Sequence, residues 1–144
     1  MSQTPRHSVS VAAVVVDDHD QVLVIRRQDN GAWQLPGGVL ELDETPEVGA
    51  RREVLEETGA DVSIERLTGV YKNMKLGVVA LVFRARFVSG EPGPTREAAA
   101  VEWWSAERVA AEMDEAFAVR ILDALRPDPV PAVRAHDGVR LLAG

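Results

Sequence analysis

The apolar positions of this chain fall into short runs separated by turn-forming residues. Ser8–Val16 (SVSVAAVVV) is β-rich and almost wholly apolar, which predicts a buried strand. Residues 17–20 form a polar turn and 21–27 (QVLVIRR) a second strand, so the two predict a hairpin. A loop spans 28–32, a short extended piece 33–35, and Pro36-Gly37-Gly38 breaks regular structure. A helix follows, with Thr45 as N-cap, Pro46 at the first helical position and Gly59 as the stop. Residues 62–71 and 76–88 (LGVVALVFRARFV) predict two more strands, then 89–95 a loop and Ala98–Trp104 a further strand. Ser105 caps a short helix. Asp114 caps a longer one over Glu115–Leu125, where Phe117, Ile121, Leu122 and Leu125 have helical spacing. Pro127, Pro129 and Pro131 then predict an end to regular structure. The pattern is that of a mixed or antiparallel-rich sheet with helices packed on it.

A length of 144 residues predicts one domain, taken as 1–126 with a Pro-containing tail at 127–144. No apolar run approaches the ~18 residues of a membrane-spanning helix. The first residues, MSQTPRHSVS, lack the apolar stretch of a secretory signal, so the expected location is the cytoplasm. With no cysteine, disulfide scaffolds, thiolate metal sites and thiol catalysis are excluded. Lys and Arg are scattered, which argues against nucleic acid as a partner. The charge is concentrated instead. Between Glu41 and Asp61 lie eight acids and two bases, giving −6 of the net −7. A concentrated acidic segment asks for a cation.

That segment contains the predicted helix. At about 100° per residue, Glu53, Glu56 and Glu57 share one face. Val48 and Leu55, seven apart, are expected on the opposite side and in the core. Like charges at these spacings cost ~0.2–0.5 kcal/mol per pair. Anions in the last turn also oppose the helix dipole. Arg52 alone is placed to relieve them, four residues before Glu56. A sequence that breaks local rules in one place does so for function. Clustered carboxylates are the natural ligands of a hard divalent cation.

Gly38 to Ala60 reads GVLELDETPEVGARREVLEETGA. This resembles the Nudix box, G-x5-E-x7-R-E-U-x-E-E-x-G-U with U apolar, of the Nudix hydrolases. Gly38, Glu44, Arg52, Glu53, Val54, Glu56, Glu57 and Gly59 match, and Ala60 is a small residue at the last apolar position. The resemblance extends over roughly residues 8–125 and points to MutT-like members. It implies the Nudix α/β/α sandwich, a mixed β-sheet between helices with a loop–helix–loop metal site. It also implies hydrolysis of a pyrophosphate bond in a nucleoside diphosphate linked to another group, with Mg²⁺ or Mn²⁺ as cofactor. Glu53, Glu56 and Glu57, with the carbonyl of Gly38, would be metal ligands. Arg52 would orient the glutamates, and Glu44 would support the loop and helix electrostatically. Either Glu53 or Glu57 would be the general base. The small single domain leans towards a nucleoside triphosphate, including a modified one, as the small-molecule substrate.

Residues outside the box are less decided. Glu97, five before Glu102, resembles a further metal ligand of the mutator-type branch, against an ordinary loop carboxylate. Glu102 is expected to be structural. Arg27, with Arg26, resembles a phosphate contact, against an exposed strand end. Trp33, Tyr71, Trp103 and Trp104 are candidates to stack on a base, with the core as their commoner place. His7, His19 and His136 are expected to be non-catalytic. No GxSxG elbow suggests a triad, and no Gly-Lys-Ser/Thr makes Pro36-Gly37-Gly38 a P-loop. Two other functions compete. One is a Nudix-like sensor that binds nucleotide without turnover. The other is a cation site that only stabilises the fold. A homodimer, with the tail as a candidate contact, stays open.

Overall fold

The computed structural model describes residues 3–143. Among these residues nine strands and three helices follow one another: β1 (Ser8–Val16), β2 (Val22–Arg27), β3 (Trp33–Gln34), β4 (Gly37–Val39), α1 (Pro46–Thr58), β5 (Asp61–Asn73), β6 (Val78–Ser89), β7 (Ala98–Trp104), α2 (Ala106–Glu112), α3 (Glu115–Leu125), β8 (Ala132–His136) and β9 (Leu141–Leu142). The strands form one mixed sheet with a main path β3-β2-β1-β6-β5-β8-β9. To this, β4 adds on β1 and β7 on β2.

Strand β1 explains the layering. Successive side chains on a strand point to opposite faces, and here both faces are covered. Ala12, Val14 and Val16 pack with Ile121 and Ala124 of α3 and Val109 of α2. Ala13 and Val15 pack with Val54 of α1, while Val11 packs with Ala50 of the same helix. A strand read by its neighbours on both sides has no polar face, hence the unbroken apolar run. The result is the expected α/β/α sandwich, with α1 on one side of the sheet and α2 and α3 on the other.

The predicted β1–β2 hairpin is only a turn. The Asp17 amide donates to the Gln21 carbonyl at 3.0 Å, and Val16 pairs with Val22. Beyond that the strands part, because β2 runs along β7 while β4 occupies the neighbouring edge of β1. Nor is Pro36-Gly37-Gly38 a simple breaker. Gly37 pairs with Ala12 and Gly38 with Val11. A Cβ on Gly37 would collide with the Val11 carbonyl, so this close approach requires glycine.

The largest correction is at the chain's end. Residues after Pro131 are not a structureless tail. Strand β8 adds parallel to β5, pairing Gly69–Asn73 with Ala132–His136, and β9 returns beside it. A buried knot fastens this extension. Asp123 of α3 accepts from Arg134 through both its oxygens at 2.8 Å and from the Tyr71 hydroxyl at 2.7 Å. Burial pushes Asp123 up, but the bonds from Arg134 and Tyr71 outweigh it and hold the carboxyl below its usual range. Its stabilisation is therefore present above the ordinary carboxylate pKa and is lost as pH falls through the lowered one. Asp123→Ala strands a buried hydroxyl and a guanidinium. It is expected to cost roughly 2–3 kcal/mol, read as a lower Tm in thermal denaturation; an unchanged Tm would contradict the knot.

Among the described residues, no helix is long and apolar enough to cross a membrane.

Candidate active site

Helix α1 begins and ends as its sequence dictates. Thr45 Oγ1 accepts from the Val48 amide at 3.4 Å, Pro46 opens the first turn, and Gly59 closes the helix at φ 82°, donating to the Leu55 carbonyl. Its orientation is the reverse of expectation. Val48 and Leu55 are 57% and 53% exposed, while Glu53 and Glu57 are 8% and 3% exposed. The face turned to the sheet is made of Gly49, Ala50, Val54 and Thr58 together with the two acids. Small residues let the helix sit close over β1 and β4. A Cβ on Gly38 would lie 2.6 Å from Glu53 Oε1, so the bare Gly38 makes room for that carboxylate.

Arg52 organises the acids around it. Its Nε and Nη2 donate to the two oxygens of Glu44 at 2.9 and 2.6 Å, and its Nη1 donates to Glu53 at 2.9 Å and Glu56 at 3.2 Å. Glu44 also accepts from the Glu41 amide at 3.0 Å, which ties the preceding loop to the helix. The Arg52 guanidinium, helped by that amide, holds Glu44 at about 2. Glu56 turns to Arg52 and solvent, and it stands apart from the acids that come together.

Those acids are Glu53, Glu57 and Glu97, which offer oxygens within 4.8 Å of one another. Glu97 arrives from the loop before β7. Thr95 anchors it: the Thr95 hydroxyl donates to the Glu57 carbonyl at 2.9 Å and accepts from the Ala98 amide at 3.2 Å. Glu57 Oε1 accepts from the Gly37 amide at 2.7 Å. Among the described residues no cationic side chain makes an ion pair with Glu57. Burial, with the charges of Glu53 and Glu97, pushes Glu57 up to about 8 against the pull of that amide. Burial also raises Glu53, although Arg52 opposes it.

The three acids border a cavity of about 540 Å³, whose wall includes Gly38, Arg27, Asp29 and Arg96. Arg27 faces it but is already held by Asp29, with bonds of 2.8 and 2.6 Å. Arg26 lies outside, exposed and near the Trp33 ring. None of the four aromatic candidates lines the cavity. Tyr71 and Trp104 are fully buried, Trp33 packs on Trp104, and Trp103 meets Phe87 edge-on. Glu102 accepts from the indole of Trp104 at 2.8 Å, a structural part. His136 is core-buried against Phe117 and Arg120, and His19 sits in the β1–β2 turn. His7 is exposed just ahead of β1. The Gly37 amide, Thr95 and Arg96 were missed from sequence. Backbone amides leave no residue-type signal, and only the folded loop brings Thr95 to the Glu57 carbonyl and Arg96, beside Glu97, to the cavity wall.

A hard divalent cation fits this donor set. All side-chain donors are carboxylate oxygens, two of the three are buried, and Glu57 has no ion-pair partner among the described residues. The charge deficit has a measurable consequence. Unfolded, Glu57 ionises near its ordinary 4.5; folded and metal-free, near 8. Its contribution to stability is thus full below the lower value and lost as pH rises through the higher. The metal-free protein is expected to lose Tm between about pH 5 and pH 9, and Mg²⁺ to restore more Tm the higher the pH. Differential scanning fluorimetry with and without chelator reads this; a Mg²⁺ increment that shrinks with pH would contradict it.

Comparison with known proteins places this architecture. The NUDIX domain family matches residues 6–125. A MutT-like protein of Streptomyces ambofaciens is 54% identical over 138 residues, 96% of this chain and 89% of that protein. A putative 8-oxo-dGTP diphosphatase of Bacillus subtilis (strain 168) is 32% identical over 97 residues, 67% of this chain and 65% of that protein. The crystal structure of a NUDIX hydrolase from Nitrosomonas europaea superposes with a TM-score of 0.79 at 23% identity, covering 93% of this chain and 82% of that one. The chain belongs to the Nudix family. It is a pyrophosphohydrolase of that family.

Proposed function

We propose that the chain is a Mg²⁺- or Mn²⁺-dependent hydrolase that cleaves a pyrophosphate bond in a nucleoside triphosphate, a modified one included. The observation that carries this reading is the trio Glu53, Glu57 and Glu97. It is gathered within 4.8 Å beside an open cavity, with no cation paired to Glu57 among the described residues. Glu53 and Glu97, with the carbonyl of Gly38, would hold the cation, and Glu57 would lie against it. When bound, the cation neutralises the phosphates and makes water a better nucleophile.

The chain's own groups supply the rest. Glu57 is fixed by the Gly37 amide at Oε1, which leaves Oε2 to take a proton from the attacking water. Arg52 engages Glu53 but makes no bond to Glu57, so of the two Glu57 is the one free of an ion pair among the described residues. Arg52 and Glu44 hold the loop and helix in register and take no part in bond making. The open cavity has room for a phosphate chain. The relation to a putative 8-oxo-dGTP diphosphatase supports the triphosphate class.

The test is a panel of nucleoside triphosphates, oxidised triphosphates, sugar nucleotides and dinucleotides incubated with Mg²⁺, with products separated by ion exchange. Release of nucleoside monophosphate and pyrophosphate from a triphosphate is expected. Turnover confined to sugar nucleotides or dinucleotides would overturn the substrate class.

A further inference from the structure

The cavity wall carries two arginines, and they differ in a way that decides their roles. Arg27 is committed: Asp29 accepts from its Nε and Nη2 and offsets its charge. Arg96 is exposed at the wall, and among the described residues it makes no ion pair and no side-chain hydrogen bond. It is also placed by the site itself. Arg96 and Glu97 form the tip of a tight turn in which the Thr95 amide donates to the Ala98 carbonyl at 3.0 Å. Thr95 bonds to the Glu57 carbonyl on one side of this tip, and the Gln28 amide donates to the Glu97 carbonyl at 3.1 Å on the other. The backbone that delivers Glu97 to the acid cluster therefore delivers Arg96 to the rim. Adjacent residues carry opposite charges to neighbouring parts of one cavity.

We propose that Arg96 binds the solvent-facing phosphate of the nucleotide's polyphosphate chain, as the chain's principal phosphate-contacting arginine. The inference rests on the hydrolase reading above. A guanidinium suits the task because its planar fork engages two phosphate oxygens at once. The neighbouring carboxylates would repel a polyphosphate, so an uncommitted cation at the rim gives the anion somewhere to dock. Arg27 contributes less, because a phosphate must first compete with Asp29 for it.

The experiment compares wild type, Arg96→Ala, Arg96→Lys and Arg27→Ala by two readouts. One is calorimetric binding of a non-hydrolysable nucleoside triphosphate in the presence of Mg²⁺; the other is steady-state hydrolysis of the best substrate. Arg96→Ala is expected to weaken binding roughly 10- to 100-fold, to raise KM correspondingly and to change kcat little. Arg96→Lys should recover part of the affinity, and Arg27→Ala should lose less than Arg96→Ala. Affinity should also fall less steeply with added salt in Arg96→Ala than in wild type. Unchanged affinity in Arg96→Ala, or a larger loss in Arg27→Ala, overturns the proposal. A wild type that binds the analogue but hydrolyses nothing overturns the hydrolase reading, while the binding comparison still decides the role of Arg96. A wild type that binds no analogue overturns both.

Discussion

Glu57→Gln is expected to lower kcat by about 10³-fold while leaving the fold intact and, without metal at alkaline pH, more stable than wild type. Both halves follow from one environment. Glu57 is 3% exposed, and burial with two neighbouring carboxylates pushes it up to about 8. Ionising it without metal is costly, so a neutral isostere removes that cost. Glutamine retains an oxygen for the Gly37 amide, which donates to Glu57 Oε1 at 2.7 Å. It has no basic oxygen for the water's proton. Above about pH 8 the metal-free variant should melt higher than metal-free wild type, and below about pH 5 the two should converge. Turnover near that of wild type would remove Glu57 from the role of base.

Arg52→Ala should have the second-largest effect, by a different route. Arg52 donates to Glu44 twice and to Glu53 and Glu56 once each, and its Nη2 reaches the Val39 carbonyl at 3.4 Å. One side chain thus links the loop before α1, the helix and β4. Its charge opposes the upward shift that burial imposes on Glu53. Removing it lets that shift grow, so Glu53 needs a higher pH before it ionises. Mg²⁺ affinity near neutral pH is expected to fall roughly 10- to 100-fold, and the acid limb of the binding profile should move to higher pH. Arg52→Lys should rescue little, because an ammonium cannot span the fork that Glu44 and Glu53 occupy. Metal titration at several pH values reads the shift. An unaltered profile would mean that Arg52 is only a surface ion pair.

The site was most legible where chemistry and local spacing coincide. Arg52, Glu53 and Glu57 lie within two turns of one helix, so their proximity follows from helical geometry alone. Glu56 belongs to the same motif but faces Arg52, because at the helical repeat it lies about 100° round the axis from Glu57. The misplacement of Val48 and Leu55 has a clear cause. Apolar residues seven apart normally mark the buried face. In α1 the need for close packing hands that face to Gly49 and Ala50, and the site requires the acids on it. The resemblance puts Arg27 ahead of Arg26 as the phosphate contact, and it is Arg27 that lines the cavity while Arg26 lies over Trp33.

The fold was legible where strands are long and apolar, as in β1 and β6. It was not legible in β8. A five-residue strand behind three prolines is recognised only by its partners, and these are Gly69–Asn73, some sixty residues earlier. Asp123 and Arg134 look like scattered charges until α3 and β8 bring them to 2.8 Å.

The proposed divalent-cation site rests on Glu53, Glu57 and Glu97. Calorimetric titration of Mn²⁺ into wild type and Glu53→Gln, at slightly alkaline pH in buffers of different ionisation enthalpy, tests it most directly. The expected result is saturable binding with proton release in wild type, weakened at least about tenfold in Glu53→Gln. Equal affinity in the two proteins, or no saturable binding in wild type, would contradict it.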